Sequence, residues 1–219
     1  MPLNDLGKNK ALDGLDESVS GAITHIGVGN LTDPGTGANY AGTEATGGSP
    51  AYARQPVTWG SAASGQKANS GALTFDVPAG TYGFLLFFNH VSTNSNNFLG
   101  YAPINGTVKG FFSVDTTLTN DAFFSVAHGL ADGDRVQLFN VFSESLPTGT
   151  GLTEGAVLYV VNSTTNSFKV STTSGGAAID ITATGGGEGF FQKVIPETFA
   201  SQGQITVAIG ALVLDATGI

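Results

Sequence analysis

The chain has 219 residues, enough for one large or two small domains, and a fold of this size buries roughly 70% of its unfolded surface without needing covalent staples. Cysteine is absent, which excludes a disulfide framework and any thiolate zinc site. Lys and Arg number 8 against 17 Asp and Glu, and a formal net charge of -9 repels phosphate backbones, so no nucleic acid is expected as a partner.

Charged residues make up only 11% of the chain, where about a quarter is usual, and the expectation is that neighbouring molecules cover much of the surface. The N-terminus lacks a basic segment followed by an apolar core and a small-residue cleavage site, which argues against secretion. The longest apolar runs, 84–88 and 156–161, are too short to span a bilayer, so no membrane insertion is expected. A soluble protein made in a cytoplasm follows, and the sequons at Asn30, Asn105 and Asn162 are then chance matches.

In chain order, residues 4–15 predict one short helix, with Asn4 as N-cap, Asp5 in the first turn and Gly14 near the end. The helical period then gives way to short β-branched and aromatic runs punctuated by Gly, Asn, Asp and Pro. Strands are expected at 22–28, 57–59, 73–77, 82–88, 98–102, 122–126, 135–139, 157–161, 167–171, 178–181 and 205–209. The clearest is Leu73-Thr74-Phe75-Asp76-Val77, whose apolar residues alternate with polar ones ahead of a Pro78-Ala79-Gly80 turn. Between 30 and 50 runs a stretch without periodicity, expected at an interface because loops of that length are usually functional or ordered by a partner.

Four aromatic pairs, Phe87-Phe88, Phe111-Phe112, Phe123-Phe124 and Phe190-Phe191, put one ring on each side of a sheet wherever they fall in strands. Two readings stand: a core on one face with a domain junction on the other, or rings placed in subunit contacts, where aromatics are enriched.

Five blocks, in this order, resemble a phage family commonly labelled tail fibre or minor tail protein. They are Leu3-Asn4-Asp5-Leu6-Gly7-Lys8-Asn9-Lys10-Ala11-Leu12-Asp13-Gly14-Leu15, Asp33-Pro34-Gly35-Thr36-Gly37-Ala38-Asn39, Gly47-Gly48-Ser49-Pro50-Ala51-Tyr52-Ala53-Arg54, Thr74-Phe75-Asp76-Val77-Pro78-Ala79-Gly80-Thr81 and Glu197-Thr198-Phe199-Ala200-Ser201-Gln202-Gly203. The resemblance implies a virion component without enzymatic activity, tail-associated or equally head-associated. The middle of the chain departs from it. Pieces such as His128-Gly129-Leu130, Gly133-Asp134-Arg135-Val136 and Asn166-Ser167-Phe168-Lys169-Val170-Ser171 resemble a small β module that recurs in phage tail and fibre proteins. Insertion succeeds at exposed turns whose ends lie close together. The expected architecture is therefore all-β: an outer β-sandwich domain of 1–106 and 196–219 with a short N-terminal helix, and an inserted small β domain at 107–195.

No catalytic, cofactor-binding or metal residue is assigned. His25, His90 and His128 are the only neutral-pH bases; the first two read as structural histidines in or beside strands, the third as a turn residue, and no Gly-x-Ser-x-Gly elbow accompanies them. Asp132-Gly133-Asp134 lacks the further ligands of a calcium loop and reads as a tight turn. Gly185-Gly186-Gly187 lacks the Lys-Ser or Lys-Thr of a phosphate loop. Trp59, Tyr52, Tyr101 and Tyr159 are the rings available for a host-surface glycan, although Trp59 and Tyr159 sit in strand patterns where packing is the default. A non-enzymatic virion structural protein is the leading expectation, assembling with other virion proteins and copies of itself; a capsid decoration or head fibre protein and a carbohydrate-binding module are the alternatives.

Overall fold

The computed structural model describes residues 22–61, 66–106, 108–115, 117–141 and 144–215, and every regular element among them is a β-strand. The all-β class stands; the helix expected at 4–15 lies outside the described residues. The chain divides into two compact units, Met1–Ile104 with Pro196–Ile219, and Asn105–Ile195.

The outer unit opens with β1 (His25–Gly29), β2 (Gln55–Pro56), β3 (Gln66–Ala68), β4 (Leu73–Val77), β5 (Gly80–Tyr82), β6 (Phe84–Phe88) and β7 (Phe98–Pro103). The second unit holds β8 (Lys109–Val114), β9 (Phe123–Phe124), β10 (Arg135–Phe139), β11 (Thr148–Gly149), β12 (Leu158–Val161), β13 (Ser167–Ser171), β14 (Ile181–Ala183) and β15 (Glu188–Val194). The chain then returns to the outer unit for β16 (Glu197–Phe199), β17 (Gly203–Val207) and β18 (Val213–Asp215).

Among the differences from the sequence expectation, three have identifiable reasons. Val57–Trp59 is not a strand: pairing with β1 ends at Pro56, and Trp59 makes only an isolated bridge to Asn69. At 178–181 only Ile181 belongs to a strand, because the Ile179 amide is drawn off to the Val170 carbonyl. Strands β8 and β15 escape the sequence reading, since each carries a glycine next to two phenylalanines and shows no alternation of apolar with polar residues.

In the outer unit, β2-β1-β6-β7 form an antiparallel sheet, while β4 with β17, β5 with β16 and β3 with β18 form separate ladders. One face of the sheet contributes Ile26, Val28, Leu85, Phe87 and Leu99 to a core shared with Leu73, Phe75, Val77, Ile205 and Val207. The alternation of β4 is thus used directly: Phe75 and Val77 are fully buried, while Thr74 is exposed. Burying each such side chain stabilises the fold by about 1.5–3 kcal/mol.

The sheet's other face is covered too, by the stretch the sequence leaves without periodicity. Tyr40 packs on Phe98 at 5.4 Å between ring centroids, Phe98 on Phe88 at 5.6 Å, and the Arg54 guanidinium lies 3.3 Å over the Phe88 ring. Gly27 makes this possible, for a Cβ there would meet Glu44 Oε1 at 2.7 Å and the Phe88 and Tyr52 side chains at 3.1 Å. Part of this loop is thus packed on the chain's own sheet.

The second unit is a closed antiparallel barrel in the order β10-β12-β13-β9-β8-β15, with β11 and β14 forming a side ribbon. Phe112, Phe123, Phe168 and Phe191 fill its interior with Val136, Leu138, Val160 and Val170. Phe112 meets Phe123 edge-on at 5.0 Å, and Phe123 stacks on Phe168 at 5.4 Å. Closure leaves no sheet edge in the barrel and fixes which face of each strand looks outward.

Candidate functional site

The groups that ordinarily carry chemistry are occupied by the fold. His90 Nδ1 accepts the amides of Ser92 and Thr93 at 3.1 and 3.0 Å. His128 Nδ1 accepts the Leu130 amide at 3.0 Å, its Nε2 lies 3.2 Å from the Ser167 carbonyl, and its ring packs on Phe168. In both, the lone pair a general base would use is taken. Burial, then the charges of Arg54 and His90, push the His25 imidazole below its ordinary value, and its Nδ1 pairs with the Thr24 hydroxyl at 3.0 Å.

Glu44, isolated in the sequence, is not isolated in space. Arg54 grips it with Nε–Oε1 at 2.8 Å and Nη2–Oε2 at 2.7 Å, while Arg54 Nη1 donates to the His90 and Thr93 carbonyls. Tyr52 donates to Glu44 Oε1 at 2.9 Å and accepts the Val28 amide. Burial, and behind it the Glu44 carboxylate, hold the Tyr52 phenol far above its ordinary range, so it remains a donor. Every polar atom here is turned to another part of the loop or sheet, which makes the cluster a clamp.

The acidic turn at 132–134 is likewise structural. Gly133 takes a left-handed φ of 90°, Asp134 accepts the Ala131 amide and pairs with Lys193 at 2.7 Å, and Asp132 accepts the Ser163 amide. Among the described residues no group of three or more His, Asp or Glu side chains is placed to hold a metal ion. Gly185 and Gly187 occupy left-handed turn positions before β15. The four rings considered for sugar recognition are committed elsewhere: Tyr101 is buried, Tyr52 belongs to the clamp, Trp59 donates to the Ile23 carbonyl, and Tyr159 lies under Arg135.

What remains open is a face of the barrel. Strands β8 and β15 pair so that Phe111 faces Phe190, while Phe112 faces Gly189 and Phe191 faces Gly110. Inside, each ring takes the space opposite a glycine: a Cβ on Gly189 would collide with the Phe112 ring, and one on Gly110 would sit 3.0 Å from Phe191. Outside, the rings pair with each other, Phe111 on Phe190 edge-on at 5.7 Å and Phe190 on Phe139 at 6.3 Å. Phe124 of β9 lies across from Ser113, diagonal to Phe111, and extends the row. The row crosses four adjacent strands, from β10 through β15 and β8 to β9.

Its exposed end is unusual for a barrel surface. Phe111 is 67% exposed, Phe124 42% and Val126 84%, beside partners in the same dipeptides, Phe112 and Phe123, that are buried. These residues, with Ser113, Ser125, Val141 and Glu188, border an open groove of about 310 Å³. Leaving these rings in water forgoes the stabilisation that burying them would bring, which sets this face apart from the buried one behind it.

The sequence carries a signal for this face that the separate aromatic pairs do not reveal. The triplet Gly-Phe-Phe occurs at 110–112 and again at 189–191, and antiparallel pairing of the two copies generates the inner glycine-phenylalanine matches and the outer phenylalanine pair together. No helix among the described residues is long and apolar enough to cross a membrane, a statement that does not extend to strands. Compared with protein-family models and with curated proteins, the chain matches none.

Proposed function

We propose that the chain is a non-enzymatic structural component of a tailed-phage particle, a minor tail or tail fibre protein that binds other virion proteins and copies of itself. The observation that carries this reading is the exposed aromatic row of the barrel, which has the make-up of a protein contact, with aromatics at its centre and few charges. The ordered sequence blocks that resemble tail proteins support it, as does a chain in which only 11% of residues are charged. The occupied imidazoles and the clamped Glu44 agree with a role in binding. In this reading the outer unit is a sandwich, its four-stranded sheet packed across one core on the β4–β17 pair.

Quantitative mass spectrometry of purified particles tests the proposal. A fixed copy number per particle is the expected result; a chain that stays with the host lysate as a stable monomer and never purifies with particles refutes it. Immunogold labelling is expected to place the chain on the tail, and gold on the capsid lattice would instead make it a decoration or head fibre protein. A second reading has one observation in its favour: exposed rings beside Ser113, Ser125 and Glu188 also suit stacking on a host-surface sugar. Glycan-array binding that disappears in Phe124→Ala would support that reading.

A further inference from the structure

We infer that the aromatic face of the barrel docks onto the same face of a second copy of this chain, about a two-fold axis that lies across the strands at the Phe111–Phe190 pair. The inference rests on the assembly reading above and names the surface and symmetry that reading leaves open.

The argument starts from the register. On the outer side of β8, Lys109 and Ser113 stand two residues before and after Phe111, about 7 Å away in each direction. On β15 the residue opposite Ser113 is Glu188, and the residue opposite Lys109 is Gln192. The face thus has a cation at one end, an anion at the other and rings between them. Both charges are exposed, and neither makes an ion pair among the described residues.

A two-fold axis across the strands leaves the aromatic row facing itself and exchanges the two ends. Lys109 of each copy then falls beside Ser113 and Glu188 of the other, so one rotation forms two opposite-charge pairs and closes two sets of rings against each other. This is the self-complementarity an isologous contact requires, in which residue i meets j and j meets i.

The exchange of the two charged ends, which a copy of this chain supplies by symmetry, is what favours a copy as the partner. Two chains of net charge -9 repel over most of their surfaces. The face formed by Lys109, Phe111, Ser113, Phe124, Val126 and Glu188 has one charge of each sign and no net charge, so the repulsion is locally absent where the apolar surface is largest.

Sedimentation velocity on the full chain, across a concentration series, tests the inference. The wild type is expected to show a reversible monomer–dimer equilibrium. Phe111→Glu is expected to raise the dissociation constant at least about 30-fold, as loss of a central anchor does. Lys109→Glu and Glu188→Lys each weaken the dimer by placing like charges together, and the double variant K109E/E188K restores it by exchanging both pairs. The last three changes lie on exposed residues outside the barrel core, so they test the contact even if Phe111→Glu fails to fold. A monomeric wild type, a trimer, a Phe111→Glu chain that dimerises as before, or a double variant no better than the single ones each overturns the two-fold contact. None of these outcomes bears on whether the chain purifies with particles, so the two proposals fail separately. Loss of glycan binding in Phe111→Glu, with no change in mass of an already monomeric chain, would give the face to a sugar.

Discussion

The same dipeptide meets two fates in this molecule. In the outer unit Phe87 and Phe88 are both fully buried, because the sheet that carries them is covered on both faces, by the β4–β17 pair on one and by the loop of Tyr40 and Arg54 on the other. In the barrel Phe111-Phe112 and Phe123-Phe124 are split, one ring at the centre and the next in water, because a closed barrel supplies only one interior. Two adjacent rings in a strand therefore demand two covers. The outer unit folds its own loop into the second cover, and the barrel leaves the position exposed.

The comparison breaks most severely if the outer unit's cover is removed. Arg54→Ala leaves the partly buried Glu44 without its cation and takes away the buried group lying over Phe88, at an expected cost of about 2–4 kcal/mol. Trp59, the single tryptophan, belongs to this unit, so its fluorescence in a urea titration reports the loss. An unchanged midpoint would mean the loop does not cover the sheet.

A smaller effect is expected from filling the barrel's inner glycine. Gly189→Ala drives a methyl into the Phe112 ring and should destabilise the barrel by about 1–3 kcal/mol, seen in thermal unfolding by circular dichroism. Phe111→Ser on the opposite side of the same ladder should change stability by no more than about 0.5 kcal/mol, since nothing of the core is lost. Comparable losses for the two variants would contradict the division into an inner and an outer row.

The smallest expected effect is a pH dependence in the barrel. The amide and hydroxyl of Thr117, then the Asn120 side chain, hold the Asp115 carboxyl below its ordinary value near 3.8. Its folded pKa is lower than its unfolded one, so its contribution is present above about pH 3.8 and fades as pH falls through the folded value. Chemical denaturation at several acid pH values should show a shallower acid decline in Asp115→Ala than in the wild type.

Much of the fold was legible wherever polar and apolar residues alternate along a strand. Leu73–Val77, Arg135–Phe139 and Ser167–Ser171 have the bounds the sequence suggests. Strands β8 and β15 hid because their inner positions alternate glycine with phenylalanine while an outer position is also phenylalanine, which erases the apolar-polar period. The loop of 30–50 gave no period either, since its order comes from partners outside it: Arg54 on Glu44, and Asn94 bonded to the Tyr40 backbone. The aromatic face was visible in the sequence as three of the four separate pairs; only the register of β8 against β15 makes it a surface.

Because the chain has no cysteine, a single introduced thiol reports on that surface without interference. Ser113→Cys sits on the outer side of β8 at the edge of the aromatic row, and Thr165→Cys, exposed in the turn between β12 and β13, serves as the reference. Maleimide labelling of each variant, in dilute chain and in purified particles, compares the face free with the face assembled. Protection of the thiol in Ser113→Cys relative to that in Thr165→Cys within the particle, with equal reactivity in dilute chain, is the result expected if the face is a contact; equal labelling of the two variants in the particle would contradict it.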